Sequence, residues 1–434
     1  MWLADSGFVG HNRGMTNSGF RAGARAGATA GFGFIVLLAS LCMLLPVSVD
    51  VALPAFPLIA QALHAPEGMV QWTFSAFLLS FGLGQIATGA LSDRHGRRTM
   101  LLPGLAVFVL SSLACALVRD IRLLVLLRFV EGAGASVGMV CTGAIIRDLH
   151  SDVDRAASLQ SYVVMVQSVS IMAAPLIGAA FINGPGWRWI FGFLAIAGAI
   201  VLGAIAIFLP ETSPQVSEGV IQGYRRVLSL PRTIPRAGFM TFAGGAYFVL
   251  LTVCPFVLAG HISVPFALFG IACMIVLGNA LGGRLVRRFG AQRLSTVGVV
   301  LIVLACLANC AVELFRPSPA GFVVTMALFA LANGIGFPSI FASTIADADT
   351  DSGAASGLLG SVQMTGGAAI TWIVTALPWK LTTSAGVMLL GCAVVAAACY
   401  GCSLLRKATP RRAERIAAPL ALVLAAAEQP EAGD

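Results

Sequence analysis

The chain has 434 residues, of which 58% are hydrophobic and 11% charged, against roughly 25% charge in an ordinary soluble domain. With a mean hydropathy of +0.90, it has too little polar surface for a water-soluble globule and reads as an integral membrane protein. Its net charge of +8 comes with no basic–aromatic patch, so it reads as a topology and leaflet-binding signal, with no nucleic-acid partner expected.

A spanning helix needs about 20 apolar residues at ~1.5 Å rise, whereas barrel strands read as alternating segments of ~10 residues. No such alternation occurs. Residues 1–30, rich in Gly, Ala and Arg, show neither a twin-Arg pair nor a small-residue cleavage site, and are expected to form a disordered cytoplasmic arm. The first span is expected at Gly31–Leu53. It contains Asp50, with Pro46 and Pro54 each four residues away and each removing a helical hydrogen bond. The second, Val70–Leu91, runs into Gly89-Ala-Leu-Ser-Asp93-Arg94-His95-Gly96-Arg97-Arg98. The third is Met100–Val118, and the fourth, Leu123–Ile146, carries Arg128 and Glu131. Ser158–Phe181 and Trp189–Leu209 complete a first set of six.

Residues 210–237, with four prolines, several arginines and two glutamates, are expected to be a cytoplasmic linker. Six further spans follow, at Gly238–Leu258, Val264–Leu285, Leu294–Val312, Ala320–Ile345, Leu358–Leu377 and Ala385–Leu405. The eighth ends in Gly283-Arg284-Leu285-Val286-Arg287-Arg288-Phe289-Gly290, a second copy of the earlier turn displaced by 194 residues. Residues 406–434 are expected to be a cytoplasmic tail. The expected fold is thus an all-α membrane protein of twelve spans in two similar six-helix halves, 31–209 and 238–405.

Lys and Arg near span ends are retained on the cytoplasmic side. With the N-terminus inside, 21 of the 27 fall in the arm, alternate loops and the tail. Arg119, Arg122, Arg188, Arg316 and Lys380 face out, and Arg128 lies within the membrane. Both termini are therefore expected to be cytoplasmic. All ten cysteines fall inside apolar spans, which suits small buried hydrophobes better than a disulfide framework or a metal site.

Several chemistries are excluded or disfavoured. A phosphate-cradling loop must end in Lys followed by Ser or Thr, but Lys380 precedes Leu381 and Lys407 precedes Ala408. No cofactor or metal is expected, and no enzymatic activity, since His150 with Asp154 is the sole candidate cluster at the cytoplasmic face. Asp347, Asp349 and Asp351 lack the sixth and twelfth ligands of a calcium loop, and are expected to cap the eleventh helix.

Charges inside a bilayer mark function because each costs several kcal/mol unless paired or hydrated. Asp50 lies roughly 28 Å along the first helix, which places it, like Arg128, in the outer half, where the two are expected to be able to pair. Glu131 follows Arg128 at i+3 on the same face. If all three are ionised, one carboxylate balances the arginine and the other is able to exchange a proton. A purely structural cluster locking the first helix to the fourth is the competing reading.

Gly89-x-Leu91-Ser92-Asp93-Arg94-x-Gly96-Arg97-Arg98 resembles the loop signature of the major facilitator superfamily. Asp50-x-x-Leu53-Pro54-x-x-Pro57, Gln71-Trp72-Thr73, Gly84-Gln85, Trp187-Arg188-Trp189-Ile190-Phe191 and Pro210-Glu211-Thr212 narrow this to its Bcr/CflA drug-resistance branch. That branch comprises drug:proton antiporters, among them bicyclomycin and chloramphenicol/florfenicol exporters. The resemblance runs from about Val49 to Leu405. It implies the major facilitator fold, a gating loop at Gly89, Asp93, Arg94, Gly96, Arg97 and Arg98, and proton coupling through Asp50 and Arg128. Glu131 stands where the family motif has Gln, so the proton carrier is Asp50, Glu131 or both. The antiporter motif is present as Ala173-Ala174-Pro175-Leu176-Ile177-Gly178-Ala179, with Ala at two positions where the motif has glycine. Arg287 replaces the acid corresponding to Asp93 in the second loop.

For the substrate cavity, Tyr162, Tyr247, Phe248 and Phe337, with Phe341 and Trp372, are aromatic candidates. Gln167, Asn279, Asn333 and Gln363, with Asn309, are polar ones. Such a site favours small neutral or cationic amphipathic compounds over phosphates or dicarboxylates. The chain thus reads as a monomer in the inner membrane, exporting such compounds against protons by alternating access. A proton-coupled metabolite transporter and a transporter-like sensor are the alternatives.

Overall fold

The computed structural model describes residues 32–149, 153–209, 211, 220–348, 352–376 and 381–406. The expected arm, the tail beyond Arg406, and His150, Asp349, Asp351, Lys380 and Lys407 lie outside the described residues.

The first apolar run does not end at Leu53. Helix α1 (Phe32–Asp50) breaks after Asp50, passes through a 3-10 turn at Leu53–Ala55 and resumes as α2 (Phe56–Ala62). The cause is Pro54, which has no N–H to offer the carbonyl of Asp50. Ala55 N–H then bonds Ala52 O at 3.0 Å and bypasses Val51. The remaining helices of the first half are α3 (Glu67–His95), α4 (Arg97–Leu117), α5 (Ile121–Leu149), α6 (Val153–Asn183) and α7 (Arg188–Phe208). Those of the second half are α9 (Thr233–Leu258), α10 (Val264–Phe289), α11 (Ala291–Phe315), α12 (Pro319–Ala348), α13 (Ser352–Ala376) and α14 (Leu381–Leu405). Most outrun their apolar runs by a turn or more, because a continued helix satisfies backbone groups beyond the hydrocarbon.

Eleven stretches among the described residues are long and apolar enough to cross a membrane. The twelfth span is α3, 29 residues long, whose Gln71, Thr73, Ser75, Ser80, Gln85, Thr88 and Ser92 are buried and lower its hydropathy. The stretch expected to be a plain linker contains a short helix, α8 (Val220–Ser229). Its Val227 packs on Ala348, Ala355 and Leu358. Asp347 does not cap the eleventh helix. It belongs to α12 and accepts from Arg236 of α9 at 2.7 Å, a full ionic bond that outweighs a cap interaction.

Packing repeats the internal symmetry. In the first half α5 lies against α3 and α4, α4 against α7, and α1 against α6; in the second half α12 lies against α10 and α11, α11 against α14, and α9 against α13. Glycines let these backbones approach. Gly84 faces Ser136 and Gly104 faces Val137, while at the same 194-residue offset Gly278 faces Leu331 and Gly334, and Gly298 faces Gly336. The halves meet chiefly where α3 lies against α13 and α6 against α10, with smaller contacts of α9 to the 3-10 turn, α2 and α3. Along the first, Trp72 Nε1 donates to Thr375 Oγ1 at 2.9 Å and Ser361 Oγ donates to Gly82 O at 2.7 Å.

A Cβ at Gly298 collides with the Cα of Gly336, whereas one at Gly270 meets open space. Gly298→Ala is therefore expected to destabilise the detergent-solubilised protein by about 1–3 kcal/mol, with Gly270→Ala near neutral. Thermal unfolding followed by size-exclusion fluorescence measures both.

Candidate functional site

The three ionisable residues of the first and fourth spans do not form one cluster. Arg128 (2% exposed) and Glu131 (0%) are buried in α5, and Arg128 Nη1 lies 2.7 Å from Glu131 Oε2. The i, i+3 spacing puts both on one helix face. The carboxylate also accepts from Ser112 Oγ at 2.7 Å, with Cys115 Sγ 3.9 Å away. The guanidinium donates its other arm to Ser48 O at 3.2 Å and lies 4.3 Å from the centre of the Phe77 ring.

Asp50 pairs with neither. Among the described residues its carboxyl has no cation partner. The expected Asp50–Arg128 pair fails because the guanidinium is satisfied by Glu131 on its own helix and by the backbone two residues before Asp50. The aspartate, 7% exposed, lines a small cleft with Leu53, Ile171 and Pro175 of its own half and Tyr247, Leu251, Leu268 and Ala272 of the other. Pro175 thus brings the fifth-span motif to the aspartate. Gly178, one turn on, packs against the bypassed carbonyl of Val51, where a Cβ would not fit. On the same side of the bundle the halves are knitted by Gln71 Nε2 donating to Thr252 O at 3.2 Å. Phe74 meets Phe248 edge-on at 5.7 Å between ring centres, and Phe56 lies 6.4 Å from Phe256.

The loop signature lies at the opposite end. Gly96 adopts φ 96° and Gly290, in the second copy, φ 81°, a region that favours glycine. Gly96 N–H bonds Ser92 O at 3.1 Å. Arg97 is buried and donates to Ser92 Oγ at 2.9 Å and to Asp148 Oδ2 at 3.2 Å. Arg98 Nη2 donates to Ala206 O at 2.6 Å. Gly89 faces the hydroxyl of Tyr224 in α8, 3.4 Å from where its Cβ would be. Asp93 and Arg94 lie in the last turn of α3; their side chains are outside the described set.

Sequence reasoning missed two acids here. Glu211 accepts from the N–H groups of Arg98 and Thr99, both at 3.1 Å, and from Thr99 Oγ1 at 2.9 Å. It thereby caps α4 from the far end of α7. Asp148 partners Arg97. The available signal was an acid closing each neighbouring span on the face that carries the cationic loop.

The proposed cavity residues scatter. Tyr247 reaches Asp50. Asn333 Nδ2 lies 3.5 Å from Ala243 O, Phe337 packs 6.4 Å from Phe239, and Gln363 lies against Gly244, so these three line α9. Gln167 Nε2 donates to Cys42 O at 3.4 Å. Tyr162 and Asn279 are exposed and do not line the cleft at Asp50. Trp372 lies tilted against Trp72, 6.2 Å between ring centres, as part of the contact between halves.

Removing one member of a buried ion pair costs about 3–5 kcal/mol, while replacing both with apolar groups is often neutral. Glu131→Leu is expected to destabilise the protein by that amount, and Arg128→Met combined with Glu131→Leu to recover most of it. Chemical denaturation of the single and double variants checks this. Glu211→Ala is expected to cost about 1 kcal/mol as a lost helix cap, by the same measurement.

Comparison with known proteins follows this geometry. The bicyclomycin resistance protein homolog of Haemophilus influenzae is 26% identical over 384 residues, covering 85% of this chain and 95% of that one. The chloramphenicol resistance protein of Pseudomonas aeruginosa is 28% identical over 304 residues, 67% of this chain and 71% of its own. Among solved structures, the xylose transporter XylE from Escherichia coli, in a partially occluded inward open conformation, superposes with a TM-score of 0.68. It is 14% identical and covers 85% of this chain and 96% of that one, a likeness of fold. Residues 36–371 match the Major Facilitator Superfamily as a family. With its two six-helix halves and the loop signature between the second and third spans, the chain belongs to the major facilitator superfamily.

Proposed function

We propose that the protein exports small amphipathic compounds in exchange for protons. It would sit as a monomer in the inner membrane, with both termini and the signature face in the cytoplasm. The proton gradient supplies the energy, and no cofactor or catalytic step is needed. The observation that carries this reading is the position of Asp50. It is a carboxyl without a cation partner, at the seam between the halves, beside Pro175 of one half and Tyr247 of the other. Relatives named for bicyclomycin and chloramphenicol resistance support drugs as the substrate class.

Alternating access then reduces to the charge at one seam. An ionised Asp50 between closed halves is costly, because the cleft it lines is otherwise formed by a tyrosine and apolar groups. Protonation removes that cost and favours the state closed around it. Ionisation favours the state in which water reaches it, which is a population shift set by the differential energy of one carboxyl. A cationic or amphipathic compound entering the cleft competes with the proton for the same group. Glu131 is already neutralised by Arg128, so we assign the carrier role to Asp50. Arg97 and its acid partner Asp148 hold the signature face of the first half together.

Drug-stimulated proton movement in everted membrane vesicles tests the reading, with phenicols, bicyclomycin and cationic dyes as the panel. At least one compound is expected to dissipate the gradient in wild type, and none in Asp50→Asn. Wild-type rates in Asp50→Asn would overturn the coupling assignment. Asp93→Asn is expected to slow turnover while leaving compound binding within a few-fold of wild type, measured by equilibrium binding in detergent.

A further inference from the structure

The internal repeat carries the surroundings of Glu131 into the second half. At the 194-residue offset Glu131 corresponds to Thr325, Cys115 to Asn309 and Arg128 to Phe322. The polar layer is kept: Thr325 Oγ1 donates to Asn309 Oδ1 at 2.9 Å, and both are buried, Asn309 completely. The acid has moved to the neighbouring helix. Glu313, one turn along α11 from Asn309, lies with Oε1 3.5 Å from Asn309 Nδ2. Its Oε2 is buried with no hydrogen-bond partner and faces Gly386 of α14, where any side chain would collide with it.

Among the described residues no guanidinium pairs with this acid. Phe322, 2% exposed, occupies the position equivalent to Arg128. The nearest charged residue in sequence is Arg316, just past the end of α11, which is exposed and forms no ion pair with Glu313. Thr325, Ser318 and Gly321 of α12 and the described residues of α14 add no charge near it. Each half thus sets one carboxylate against a buried polar layer: Glu131, buried and neutralised by arginine, and Glu313, half-buried and with no cation partner among the described residues.

We propose that Glu313 is a second proton-binding site, between α11, α12 and α14 of the C-terminal half and separate from Asp50. An anionic Glu313 leaves one shielded oxygen without a donor and, among the described residues, one charge without a partner. A proton on Oε2 removes that charge, and Asn309, fixed by Thr325, orients the carboxyl by its contact with Oε1. The glycine at 386 leaves room for the protonated group. Any part this site plays in transport rests on the proton-coupled reading above; its proton occupancy does not.

The test is infrared difference spectroscopy of the purified full-length protein between acidic and alkaline buffer, reading the carbonyl bands of protonated carboxyl groups. Glu313→Gln, which preserves an acceptor for Asn309, is expected to lose one band that Asp50→Asn retains. Asn309→Leu keeps the acid and is expected to shift that band without removing it, which guards against misfolding of the first variant. An unchanged spectrum in Glu313→Gln, or a missing band that Asp50→Asn also lacks, would overturn the proposal. Vesicle flux that survives Asp50→Asn would overturn only the coupling role of Asp50.

Discussion

A guanidinium buried in a membrane-spanning bundle must be neutralised where it sits, and Arg128 is neutralised by Glu131 of its own helix. The remaining site geometry depends on that pairing. Because the charge is balanced inside α5, the guanidinium has an arm left for Ser48 O, which ties the end of the first span to the fourth. The chain then turns away after Asp50. The aspartate consequently faces the other half and is free of the arginine that the sequence suggested as its partner. A proton gained or lost at Asp50 alters the charge at the seam while the fixed pair stays neutral.

The contrast between stiff halves and a loosely satisfied seam follows from residue choice. Within each half, glycines at 84, 104, 278 and 298 bring backbones into contact, and in the first half the Arg97–Asp148 pair and the Glu211 cap hold the signature face. Between the halves, Gln71 Oε1, Ser75 Oγ, Gln85 Oε1 and Thr365 Oγ1 are buried without partners. Each such atom costs roughly 1–3 kcal/mol. A separation of α3 from α13 that admitted water would satisfy them, which lowers the resistance of this contact to opening. The break after Asp50 adds to this, because Pro54 leaves the first span without a continuous hydrogen-bond ladder at the point where the halves meet.

Much of this was legible in the sequence. Spans of apolar residues and the duplicated loop at residues 89 and 283 were enough for twelve helices in two halves, because helix length in a membrane is dictated by hydrocarbon thickness. The i, i+3 spacing put Arg128 and Glu131 on one helix face and left open which acid balances the arginine. What the pattern could not reach was set by direction in space. Asp50 and Arg128 lie at similar depth, but depth says nothing about which way a side chain points around a helix that breaks at the next turn. The cap supplied by Glu211 joins residues more than 100 positions apart, and helix α8 is too short and too polar to register as a span.

The most direct measurement of the central claim is proton release on compound binding by the purified protein in weakly buffered detergent solution, with chloramphenicol or a tetraphenylphosphonium salt as the probe. If Asp50 is the exchanging carboxyl and Arg128–Glu131 a fixed pair, binding to the wild type releases protons. Asp50→Asn then binds the probe without releasing them, while Glu131→Gln still does so. Proton release that persists in Asp50→Asn and vanishes in Glu131→Gln would contradict the account and move the coupling site to the fourth span.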